Sequence, residues 1–279
     1  MTLLEGPAGT IEVAVWGKGE TSLLLLHASA TGPRSLSSLA EHLSQANRRI
    51  IAPAFVGYGQ TQWHCAAGTD RLEGNQAIVR TVLQAQARPR RILFGHSMGG
   101  TVALATALEE QRRGTPFDAV ILYEPILVDL LDLNQPAQAK AHAWDRAIIE
   151  VLARKVREGQ PEAGVRRFVE AWNETSWDVL PETARRALVA NASNLVEEAA
   201  SVSAYRFKPS NLMALQTPIL LLRGRLSPAL IACTMDCAAR LLPGAYQVVI
   251  DGCGHMGPLL EPSEIASRIE TFLGALDTA

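Results

Sequence analysis

No charge of one sign dominates this chain of 279 residues: 26 Lys+Arg stand against 28 Asp+Glu, a formal −2 with histidines neutral. Proteins that bind nucleic acid or acidic membrane surfaces usually carry a basic excess or stripe, and none is visible here. Cysteine is scarce too. Cys65, Cys233, Cys237 and Cys253 form no CxxC pair and no Cys/His cluster at zinc-ligand spacing. Buried or half-buried thiols are therefore expected rather than a metal site. The opening MTLLEGPAGT has no basic segment leading into an apolar run, so no secretory signal is read there. Long hydrophobic runs are missing as well. Leu23–Leu26 is far too short to span a bilayer, and Ala119–Leu133 is interrupted by Glu124, Pro125, Asp129 and Asp132. A soluble cytoplasmic protein is the expectation. What the chain does have is 48% hydrophobic and 19% charged residues, the composition of a packed globular protein long enough to bury a core without staples.

That apolar content is patterned. Thr10–Val15 alternates polar and apolar residues, as a strand with one wetter face does. Ser22–Leu26 is continuously apolar, as in a strand covered on both sides. Ser35–Ala46 carries Leu36, Leu39, Ala40 and Leu43 on one helical face. Strand-like Arg49–Ala52 precedes the loop VGYGQT (Val56–Thr61) and a helix within Arg71–Ala87. The alternation continues through Arg91–Phe94, Met98–Arg112 and Ala119–Tyr123. It resumes near the C-terminus with strands Pro218–Leu222 and Tyr246–Ile250 and helices Ala229–Leu241 and Pro262–Leu276. Strands alternating with helices imply parallel βαβ units in a doubly wound sheet. Between Ile126 and Leu215 the pattern changes to helical periods at Ala139–Arg157, Glu162–Trp172 and Glu182–Val202, punctuated by Pro161, Pro181 and Pro209. The economical division is an α/β core, 1–125 and 214–279, interrupted by a helical insertion, 126–213.

The strongest local signal is ILFGHSMGG at Ile92–Gly100, which contains the pentapeptide GxSxG with Ser97 at its centre. The pentapeptide alone would occur by chance in roughly one chain in ten of this length. Its place between an apolar strand and a long helix gives it weight. A serine at a sharp strand-to-helix turn projects its hydroxyl above the sheet edge, and flanking glycines let neighbouring backbone approach closely. The free N–H groups of the helix that begins at Met98 point toward developing negative charge.

Serine needs a base, and histidine titrates in the right range. Among six histidines, His255 lies in the Gly-rich loop DGCGHMGP after strand Tyr246–Ile250, at the sheet edge where ligand sites gather. His27 and His142 suit structural roles, and His96, next to Ser97 in sequence, should point away from it. A tetrahedral intermediate also requires two N–H donors. Met98 is one, and the loop LLLLHASATG offers Ser29, or Ala28 beside it, as the other.

These pieces resemble the α/β-hydrolase-fold superfamily over essentially the full chain: the LLLLHAS strand and loop, the GYGQT loop, the GHSMGG elbow, the insertion, and the closing GCGHMGPLLEP. The resemblance implies an eight-stranded, mostly parallel sheet flanked by helices, a helical cap, no cofactor, and a triad in chain order Ser, acid, His. Ser97 and His255 match its ends. The acid departs from the pattern. Relatives commonly place Asp after the penultimate strand, where this chain has Ser227. Two substitutes remain: Glu124, held extended before Pro125 at a strand tip, and Asp251, four residues before His255. A third possibility is that no acid functions. Within the insertion, Trp172 and Trp177 either line a substrate pocket or pack helices together, and Tyr58 of the VGYGQT loop raises the same question.

The function this implies is a serine hydrolase, carboxylesterase-like, cleaving a small or medium uncharged ester through an acyl-enzyme, with a small molecule as its partner. A cofactor-free haloperoxidase or perhydrolase, or a carbon–carbon bond hydrolase, would use the same triad. A catalytically weak ligand-binding protein is the non-enzymatic alternative.

Overall fold

The computed structural model describes residues 1–65, 69–173 and 176–278. The chain opens with β1 (Thr2–Gly6) and β2 (Gly9–Trp16), then β3 (Thr21–Leu26), α1 (Ser37–Ser44), β4 (Arg48–Pro53), the short β5 (Gln62–Trp63) and α2 (Arg71–Gln86). β6 (Arg90–His96), α3 (Met98–Arg112) and β7 (Ala119–Tyr123) follow. Helices α4 (Pro136–Arg157), α5 (Pro161–Trp172), α6 (Glu182–Ala190), α7 (Ala192–Ala204) and α8 (Pro209–Met213) come next without an intervening strand. β8 (Ile219–Gly224), α9 (Ala229–Leu241), β9 (Tyr246–Ile250), α10 (Gly257–Leu260) and α11 (Pro262–Asp277) complete the order.

Eight strands form one continuous sheet in the order β1-β2-β4-β3-β6-β7-β8-β9, and β5 pairs with β2 off that path. β1, β2 and β5 pair antiparallel; from β4 onward every neighbour is parallel. The architecture is thus the mostly parallel, helix-flanked sheet expected of the sequence. Only the two N-terminal additions, β1 and β5, escaped the pattern reading. β1 is largely exposed and β5 is two residues long, so neither carries a buried apolar stripe.

Period-two pleating sorts the strand side chains into two cores. Leu24, Leu26 and Leu93 pack on one face with α2, α3 and α9 residues such as Val79, Val102 and Met235. Leu23, Leu25, Ile92 and Phe94 pack on the other with Leu39 of α1 and Ile269 of α11. Both faces being covered explains why β3 and β6 read as continuous apolar runs. The start of α2 is fixed by Asp70, whose side chain accepts the Glu73 N–H at 2.9 Å, a standard N-cap contact.

One expectation in the insertion needs correcting. The helical run read as Glu182–Val202 is two helices, divided at Asn191 (φ −97°, ψ 10°). Asn competes for backbone hydrogen bonds and breaks helical continuity. The break also turns Asn191 toward the central cavity. Among the described residues no helix is long and apolar enough to cross a membrane.

Candidate active site

β6 ends at His96, and the chain turns sharply at Ser97, which takes φ 56°, ψ −121° before α3 begins. A non-glycine residue held there stores about 1–3 kcal/mol of strain, which surrounding packing must outweigh. The flanking glycines make the turn possible. A Cβ on Gly95 would sit 2.3 Å from the Gly99 carbonyl oxygen, and one on Gly99 would sit 2.4 Å from that of Leu26. The Ser97 N–H donates to the Tyr123 carbonyl at 3.0 Å, tying the turn to β7.

Because β6, β7 and β9 run parallel, their C-terminal ends bring Ser97, Glu124 and His255 together although they are far apart in sequence. Glu124 Oε2 accepts the Nδ1–H of His255 at 2.7 Å. With that proton on Nδ1, Nε2 is left as an acceptor, and the Ser97 hydroxyl donates to it at 3.1 Å. All three are buried, Glu124 completely. Its second oxygen, Oε1, accepts the Gly224 N–H at 2.6 Å and the Ser227 hydroxyl. Ser227 stands where relatives were expected to carry the acid, and it supports the acid that lies elsewhere. Nothing in its sequence context marked that role.

Two expectations about the acid change. Glu124 is not extended: its φ is +48°, although its N–H still donates to Leu222 at 3.0 Å. Proline excludes the right-handed helical region for the preceding residue, and the chain takes the left-handed side, where tertiary hydrogen bonds hold the carboxylate. Asp251 is exposed and pairs with Arg225, away from His255.

The histidine loop is anchored from below. Tyr123 donates its hydroxyl to the Gly254 carbonyl at 2.6 Å, and His96 donates Nε2–H to the His255 carbonyl at 2.8 Å. Burial, reinforced by the neighbouring His255, holds the His96 imidazole well below its ordinary pKa, so it is a neutral support. His27 is likewise structural. It donates Nδ1–H to the Ala28 carbonyl at 2.8 Å and accepts the Phe55 N–H at 3.2 Å, while burial lowers its pKa to about 4.

Met98 N–H, at the first turn of α3, and Ser29 N–H, in the loop after β3, make no hydrogen bond among the described residues. Both residues, with Ala28, line a cavity of about 590 Å³ into which Ser97 and His255 also open. The next N–H along, that of Ala30, is taken by the Tyr58 hydroxyl at 2.6 Å. Tyr58 in turn donates to Glu198 Oε2 of α7 at 2.8 Å. The GYGQT loop thus links the loop after β3 to the helical insertion. Only the fold could reveal Glu198, which the sequence reading did not single out.

The two tryptophans separate. The Trp172 ring lies 4.7 Å from the His255 ring and lines the cavity. Trp177 does not line it. Only 1% exposed, Trp177 packs with Leu152, Val165 and Leu195, so it holds the insertion helices together. These neighbours are apolar, which is the packing alternative at that position.

Burial pushes the Glu198 carboxyl from its ordinary 4.5 up to about 7, the Tyr58 hydrogen bond opposing the shift. Between these values the folded protein keeps a proton that the unfolded chain releases. Stability therefore falls as pH rises through this window, by about 3 kcal/mol from this group. Glu198→Gln is expected to flatten that slope, as read from urea unfolding near pH 5 and pH 8.

Comparison with known proteins bears on the family and the fold. A sequence model of the Alpha/beta hydrolase family matches residues 23–268. Lipase LipV of Mycobacterium tuberculosis is 26% identical over 265 residues, spanning 92% of this chain and 94% of that one. A thermophilic esterase from Thermogutta terrifontis superposes with a TM-score of 0.74 at 21% identity, covering 99% of both chains. A bromoperoxidase from Bacillus anthracis does so with a TM-score of 0.73 at 16% identity, covering 95% of both. With an elbow serine, a histidine loop and a carboxylate converging at the edge of such a sheet, the chain belongs to the alpha/beta hydrolase family.

Proposed function

We propose that this protein is a serine hydrolase that cleaves a small or medium ester through an acyl-enzyme. The observation that carries the reading is the unbroken line Ser97 Oγ to His255 to Glu124, opening into the cavity beside the unpaired N–H groups of Met98 and Ser29. As Ser97 Oγ attacks the ester carbonyl carbon, its proton passes to His255 Nε2. Glu124 keeps the ring in the productive tautomer and stabilises the imidazolium. The carbonyl oxygen gains negative charge between the Met98 and Ser29 N–H groups, at the positive end of α3. Collapse of this intermediate breaks the carbon–oxygen bond, and the imidazolium proton leaves with the alcohol. Water, deprotonated by His255, then releases the acid and restores Ser97.

The cavity wall suits such a substrate. Ile149, Phe168, Val169, Leu188, Leu195 and Val202 give it an apolar surface, and Trp172 covers His255. A volume of about 590 Å³ lies in the range of small-molecule sites. The helices from α4 to α8 serve as the cap and supply most of this wall.

A fluorophosphonate probe followed by peptide mapping tests the reading. Label is expected on Ser97, and equal labelling of wild type and Ser97→Ala would reject an activated serine. Ser227→Ala removes one hydrogen bond to the Glu124 carboxylate. It is expected to lower kcat roughly tenfold, with Ser227→Thr retaining more activity, in steady-state assays on a p-nitrophenyl ester.

A further inference from the structure

Among the described residues, the cavity wall holds two acidic side chains that the reaction does not use, and no lysine or arginine. Asp145 of α4 is 3% exposed, lines the cavity, and has no hydrogen bond or ion pair with any described residue. Burial alone raises its carboxyl to about 6. Glu198 of α7 is 1% exposed and also lines the cavity. Tyr58 occupies its Oε2, and the Ser29 and Asn194 side chains approach the carboxyl as further donors, though Oε1 makes no hydrogen bond of good geometry among the described residues. Helices α4 and α7 pack against each other, so both carboxyls face one lumen.

Native proteins leave few buried polar groups unsatisfied, and those they leave call for an explanation. A packing role does not explain Asp145, since it bonds to no described residue and an apolar residue of similar size would fill the same place more favourably. Nor does the proton relay, which runs through Glu124. What Asp145 lacks altogether, and Glu198 Oε1 lacks in good geometry, is a donor, and the space beside them is where substrate would sit.

We infer that Asp145 forms a recognition subsite for a hydrogen-bond-donor group, a hydroxyl or an ammonium, carried by the substrate away from its reacting carbonyl, with the Oε1 atom of Glu198 a second acceptor on the same cavity wall. The word substrate rests on the hydrolase reading; the binding chemistry does not. An O–H or N–H directed at these carboxyls satisfies them, whereas an anionic substituent meets two acids and no cation. The cavity thus selects for donor-bearing molecules and against carboxylates.

Titration calorimetry on the intact protein, with four probes of similar size, tests this without turnover. Hexan-1-ol and hexylammonium supply a donor, 1-methoxypentane has the same bulk with none, and hexanoate is anionic. At least one donor probe is expected to bind tenfold or more tightly than the ether, and hexanoate more weakly than the ether. Whether the alcohol or the ammonium leads distinguishes a neutral hydrogen bond from an ion pair. In Asp145→Asn and Glu198→Gln the donor advantage is expected to shrink to within threefold. An ether that binds as tightly as both donors, or an advantage intact in both variants, overturns the subsite. The wild-type series decides alone if a variant fails to fold. Because no bond is cleaved, a negative result here leaves the hydrolase reading to the fluorophosphonate test.

Discussion

Ser97→Ala is expected to reduce kcat for a p-nitrophenyl ester by about 10⁵-fold, the scale at which loss of a serine nucleophile leaves only binding and oxyanion contacts. The expectation is this large because Ser97 is the proposed nucleophile itself and not a residue that positions it. The alanine variant loses the hydroxyl hydrogen-bonded to Nε2, and with it the covalent route. Its fold should be retained, since alanine needs no more space and the strained φ of 56° is imposed by the surrounding backbone rather than by the hydroxyl. Circular dichroism matching wild type, with residual turnover below about 10⁻⁴ of wild type, is the expected pair of readings. Substantial turnover in a folded Ser97→Ala protein would reject the mechanism.

Glu124→Gln is expected to lower kcat by about 10³–10⁴-fold, because an amide cannot favour the productive tautomer or stabilise the imidazolium. Asp251→Asn should stay within about twofold of wild type. The contrast follows from placement. Glu124 is fully buried and accepts from His255, Gly224 and Ser227, whereas Asp251 is exposed and paired only with Arg225. Exposed pairs of that kind contribute little. Steady-state kinetics on both variants reads the difference, and equal losses would refute the assignment of the acid. Glutamine also leaves Ser227 and Gly224 with a weaker acceptor, so a drop in melting temperature is expected alongside.

Most of the frame was legible because buried strands and amphipathic helices have different periods. Helix α3 and strands β7 and β9 lie where hydrophobic patterning places them, to the residue. The elbow was legible for a steric reason: only glycine fits at positions 95 and 99, so GxSxG records a backbone constraint in its letters. His255 was legible through its strand and Gly-rich loop, which locate it at the same sheet edge.

What the letters could not settle is whatever depends on which side chains meet across the sheet or under the helical insertion. The choice between Glu124 and Asp251 required the left-handed turn at Glu124 and the approach of β8, over separations of more than a hundred residues. Trp172 and Trp177 are five residues apart on similar sequence. One covers His255 from the end of α5, and the other packs among Leu152, Val165 and Leu195 in the core of the insertion. Asp145 and Glu198 read simply as polar positions in two helices until packing carried both to one cavity. The sequence by itself determined the sheet and the places of the proposed nucleophile and base, since local patterning and backbone sterics are written in neighbouring residues. The carboxylate that meets His255, the cavity wall and its two buried carboxyls were decided only by tertiary structure, because burial and hydrogen-bond partners are properties of contact between distant segments.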